Sequence, residues 1–168
     1  MIAYHFVGKT LRNGRPIPPD GEWLTHDGPV LICKSGLHAS LHPFDALSFA
    51  PGGTLCMVEC EDVVEEEDDK LVCRRRKILA RFDATDLIRG YARWCALQVI
   101  HLWDAPAVVR EYLTTGDESL WDAARDAARD AARAAAGDAA RDAAGDAARD
   151  AQKNQFSELV AAKFQEIA

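Results

Sequence analysis

The sequence predicts an α+β fold: a small mixed or split β-sheet, then packed helices and an alanine-rich helical tail. Three observations predict it. Most of the Gly and Pro, with short alternating or apolar runs, lie in residues 1 to about 82; a helix-compatible stretch begins at Asp83; and an Asp/Arg/Ala repeat of period four fills the chain beyond Trp121. The expected organisation is a core domain over 1–115 and a helical tail over 116–168 that ends in an amphipathic helix.

Each element has its own signal. "IAYHFV" alternates, with Ile2, Tyr4 and Phe6 on one face of a strand and Ala3, His5 and Val7 on the other. "TLRNGRPIPPDGEWLTHDG" reads as loop with weak pairing, and "PVLIC" as a short buried strand. "SGLHAS" reads as a turn at the rim of the sheet, with Gly36 freeing the backbone and His38 aimed at a cleft near His5. Ser40 is placed to cap a helix over "LHPFDALSFA" that Pro51 and Gly52 stop. "TLCMVEC" and "LVCRRRKILARF" read as strands on either side of the acidic run "EEEDD".

From Asp83 the pattern is helical. "DATDLIRGYARWCALQVIHLW" is apolar almost all round, which predicts a buried helix whose Trp94, Leu97, Ile100 and Trp103 pack on the sheet. Asp104 and Pro106 mark the start of a second helix and Gly116 its end. Asp117 can cap a third, which runs into the repeat. There, Asp122, Asp126 and Asp130 each face an Arg three residues on, and Ala fills the remaining slots, so helix is strongly favoured. Four residues overshoot one turn by roughly 40°, so no fixed coiled-coil seam forms. One long helix, a hairpin bent near Gly137 or Gly145, and a homodimer pairing tails through Ala faces are the architectures left. "FSELVAAKFQEI" then regains an apolar stripe of Phe156, Leu159, Val160, Phe164 and Ile167, which predicts docking.

Composition narrows the function. The 168 residues are 48% hydrophobic with a net charge of −7. That balance makes wholesale binding of nucleic-acid phosphates or of anionic membranes unlikely. No apolar run approaches the roughly 20 residues of a membrane span. Five cysteines, without a framework spacing, read as reduced thiols and predict a cytoplasmic protein.

Two constellations could carry chemistry. His38 and His42 with nearby cysteines raise a zinc site, but no CxxC pair supports it, and buried inert thiols are the commoner outcome. "CRRRK" reads first as a charged edge strand facing solvent, and second as an anion site for phosphate. No GxSxG, GxxxxGK[ST] or GxGxxG occurs, so elbow hydrolase, P-loop and Rossmann chemistry have no motif here.

In order, "YHFVGKTLRNGRPIPPDG", "GLHASLHPFDAL", "TLCMVECEDVVEEEDDK" and a basic strand ending "ILARF" resemble the small rifampin-type ADP-ribosyltransferases over about residues 1 to 82. The resemblance implies NAD as cofactor. His5 matches the family's histidine, His38 falls where the family has a tyrosine, and one of Glu65, Glu66 or Glu67, with Glu66 central, matches the acid. In such an enzyme His5 and His38 would hold NAD, and Glu66 with His38 would do the chemistry. Phe6 stands in place of the family's glycine. The whole chain also resembles a group of uncharacterised phage and actinobacterial proteins that share "GLHAS…DAL…APG", "HLWDAP…TGDESL" and Ala-rich tails. That resemblance names a family without a job, and two function classes compete: a phage or prophage protein-interaction module, for which blocking a host defence is one option, with a host or phage protein as partner, and an active NAD-dependent ADP-ribosyltransferase.

Overall fold

The structure, a computed structural model, describes residues 1–134 and 146–168. The chain forms two compact units, Met1–Thr85 with Lys153–Ala168, and Asp86–Gln152. The hairpin positions Gly137 and Gly145 lie outside the described residues. No helix among the described residues is long and apolar enough to cross a membrane.

The first unit is a five-stranded sheet. Strand β1 (Ile2–Val7) pairs with β4 (Thr54–Glu66), and β4 pairs with β5 (Leu71–Asp83). The other edge of β5 takes two short strands, β2 (Trp23–Thr25) and β3 (Leu37–Ala39). Every one of these pairs is antiparallel. The class is α+β, and the sheet is antiparallel where the sequence suggested a mixed one. The physical reason lies in connection length: only four residues join β4 to β5, enough for a hairpin but far short of a parallel crossover.

The sheet also curls toward closure. Directly after β3, Ser40 exchanges two backbone hydrogen bonds with Tyr4, at 2.8 and 2.9 Å. Residues 37–40 therefore bond to β5 on one side and to β1 on the other. Register shifts in β4 at Met57/Val58 and Val63/Glu65 supply the extra bend that such curling needs. Ala3, Val7, Ala39, Cys56, Val58, Cys60, Leu71, Cys73 and Ile78 fill the concave side as one cluster.

Three sequence expectations change here. "PVLIC" is not a strand: Pro29 offers no N–H, Cys33 takes the left-handed conformation at φ 61°, and a Leu31–Ser35 bridge closes a tight loop. The strand lies inside "SGLHAS" instead. Gly36, at φ 111°, turns the chain into β3, and a Cβ there would meet Val72 Cγ2 at 2.6 Å. Ser40 extends the pairing with Tyr4 through its backbone, and helix α1 is short (Pro43–Leu47) and starts two residues later, from His42, without a side-chain cap.

The remaining face of the first unit is covered by the end of the tail. Helix α5 (Asp146–Glu166) buries Phe156, Val160 and Phe164. Phe164 packs edge-to-face on Phe82 at 5.0 Å and lies 6.3 Å from Tyr4, while Phe156 meets Phe44 at 6.4 Å. Lys153 Nζ lies 2.7 Å from the buried Asp45 carboxylate.

The second unit is helical: α2 (Thr85–Val99), α3 (Ala107–Thr115) and α4 (Trp121–Ala134). Gly116 ends α3 in the left-handed conformation, and Asp117 Oδ1 accepts from Ser119 N at 2.9 Å, both as the sequence indicated. Val109, Tyr112 and Ala124 form its buried cluster. Helix α2 buries only Tyr91; Trp94, Leu97 and Ile100 are half-covered and Trp103 is exposed. An all-apolar helix is therefore not a fully buried one here.

Candidate functional site

The residues singled out by sequence lie on β1, β3 and the β4–β5 hairpin. Their placement follows from strand alternation. On β1, Ala3 and Val7 flank His5 and belong to the concave cluster, so His5 points to that same side. On β3, Leu37 and Ala39 flank His38 and pack against the same cluster. Alternation therefore turns His38 to the other face. Its Nε2 accepts a hydrogen bond from Cys33 N at 2.9 Å, in the loop that precedes β3. The two histidines are neighbours in the sheet but not partners across a cleft.

The acid is also placed apart. Glu66 pairs with Leu71 at the far end of β4, which in turn pairs with Ala39. Two strand spacings, roughly 10 Å, thus separate its backbone from β3. Glu65 and Glu66 are exposed, and Glu67 is held by Lys70 at 2.7 Å. No carboxylate is among the charges that shift either histidine. His5 sits well below the ordinary imidazole range because of burial, then the Arg76 charge, then His38. His38 is lowered by burial; a backbone hydrogen bond at Gly36 opposes this, and Arg76, Arg12 and Lys70 add to it.

Both histidines feel the charge of Arg76. The run "CRRRK" is not an edge strand, because β5 is paired on both sides. Arg75 and Lys77 lie on its outward face, where each meets an acid of β4: Glu61 at 2.5 Å and Glu59 at 2.7 Å. Both cations also cover the Trp23 ring, at 4.4 and 4.5 Å. Arg74 Nη1 donates to the His26 and Gly28 carbonyls. Arg76 alternates inward, is 7% exposed, and donates through Nη1 to the His38 carbonyl. Cys60 is its register partner.

Three thiols share this interior. Burial pushes Cys56 up to about 11. A hydrogen bond from Cys73 favours the thiolate of Cys60 and so lowers it, while Cys73, the donor, is raised. The Leu37 carbonyl, 3.3 Å from Cys73 Sγ, is the alternative acceptor for the same thiol proton. Among the described residues no group of three His, Cys, Asp or Glu side chains could hold a metal ion.

The run "CRRRK" suggests a phosphate site from sequence without picking out Arg76. The usable signal was alternation: Arg76 shares a face with Ile78, and Arg75 with Lys77.

Compared with known proteins, residues 1–90 match a family model described as Domain of unknown function (DUF7666). No curated protein and no solved structure gives a significant match.

Proposed function

Because the chain belongs to the DUF7666 family, a domain of unknown function, we propose from its own geometry that it is a protein-interaction module of phage or prophage type that docks on a host or phage protein. The observation that carries this reading is an exposed apolar segment in the second unit. Val99, Leu102 and Trp103 are 43%, 49% and 36% exposed within five residues of sequence. Large apolar side chains grouped in this way cost solubility unless a partner covers them. Aromatic residues such as Trp103 are also the commonest anchors of protein interfaces.

The competing reading, an NAD-dependent ADP-ribosyltransferase, needs His5, His38 and Glu66 around one dinucleotide. Alternation on β1 and β3 sends the histidines to opposite faces, and the acid belongs to an exposed hairpin end. A carboxylate can stabilise an oxocarbenium-like centre only when preorganised beside it.

The test is partner capture from host cells, followed by binding of the purified partner to the full chain and to a Leu102→Ser/Trp103→Ser variant. The reading expects the variant to lose tenfold or more in affinity with an unchanged melting temperature. Equal affinity for both chains would contradict it. Sedimentation of the full chain over a range of concentrations tests the homodimer through the Ala-rich tail, since a second copy could also cover this segment.

A further inference from the structure

The first unit holds a buried cation that no acid among the described residues neutralises. Arg76 is 7% exposed, and no carboxylate lies within ion-pair distance of it among the described residues. The acids that could serve are committed elsewhere: Glu61 to Arg75, Glu59 to Lys77, and Asp20 to Arg81. A buried charge is expensive unless paired. A structural guanidinium would be expected to spend its donors on carbonyls or a carboxylate. Arg76 spends one, Nη1, on the His38 carbonyl. Its Nε and Nη2 have no protein acceptor among the described residues. Yet no sealed side-chain nitrogen or oxygen lacks a partner among the described residues, so these donors keep a little exposure.

The surroundings suit a small anion. His5, held neutral by burial and by Arg76, adds a ring nitrogen without opposing charge. Cys60, the register partner of Arg76, is small.

We infer that the inward face of β5 is an oxyanion site in which the free edge of the Arg76 guanidinium forks onto a phosphate or carboxylate group of a small ligand, beside His5. A planar pair of donors matches two oxygens of either group, and the partly buried setting strengthens each bond. The site is separate from the exposed segment of the second unit and does not depend on that reading.

The experiment is a nitrogen-15 NMR titration of the full chain with inorganic phosphate and, separately, with acetate, following the Arg76 Nε and His5 ring signals. A saturable shift of both signals by either anion supports the site, and the tighter anion names the ligand group. Arg76→Lys keeps the charge but loses the fork, so the His5 shift should need at least tenfold more anion. No shift at tens of millimolar of either anion would overturn the proposal, as would a shift that Arg76→Lys leaves unchanged. If that variant does not fold, the wild-type titration still decides. A thiolate absorbance at neutral pH that disappears in Cys60→Ser would also overturn it, because Arg76 would then already have its counter-ion.

Discussion

Replacing Phe156 by alanine tests whether the end of the tail completes the sheet unit. The ring is fully buried and meets Phe44 at 6.4 Å in an edge-to-face pair. Truncating such a ring leaves a cavity and forfeits its transfer energy, about 3–5 kcal/mol. Domains have about 5–15 kcal/mol in total, so this is a large share. For a unit of this size each kcal/mol lowers the melting temperature by about 4–8 °C, so Phe156→Ala should lower it by at least roughly 12 °C. Ile167, on the same helical tail but 44% exposed, is the control: Ile167→Ala should stay within about 0.5 kcal/mol. Thermal melts followed by near-ultraviolet circular dichroism read both. A Phe156→Ala protein that melts with the control would refute the claim that α5 is a structural part of the first unit.

Two further substitutions follow from the same geometry. Gly36→Ala puts a side chain at φ 111° and a Cβ 2.6 Å from Val72 Cγ2, so it should cost at least about 1–3 kcal/mol in chemical denaturation. A midpoint equal to that of the wild type would mean that β3 is not entered in this conformation. For His5, burial and Arg76 depress the folded pKa well below the ordinary 6.5, so below pH 6.5 the unfolded chain takes up a proton that the folded chain refuses. Stability should then fall as pH drops from 6.5 toward the folded value, with a slope of up to about 1.4 kcal/mol per pH unit. His5→Gln should flatten that slope, and an unchanged slope would show that His5 is not the group responsible.

Legibility in the sequence tracked how local each cause was. The two faces of β1, the β4–β5 pair around "EEEDD", the stop at Gly116 and the cap at Asp117 all rest on neighbours within a few residues. The terminal stripe of Phe156, Val160 and Phe164 was visible too, but its target, a sheet more than seventy residues earlier, was not. β3 escaped because it is three residues long and is held by long-range bonds to β5 and, through Ser40, to β1. The candidate site suffered the same limit. A histidine followed by a strand says nothing about which face it takes until its flanking residues are known to be core, as Leu37 and Ala39 are. The buried role of Arg76 was hidden because a run of four cations reads as solvent-facing until both edges of its strand are seen to be paired.

Release of nicotinamide separates a binding module from a transferase most directly. The full chain is incubated with NAD labelled in the nicotinamide, with and without cell extract as acceptor, and free nicotinamide is counted against buffer alone. The opposite facing of His5 and His38 and the exposed place of Glu66 predict release no faster than in buffer. Release above that background, abolished by His5→Ala or Glu66→Ala in proteins that melt like the wild type, would contradict the account.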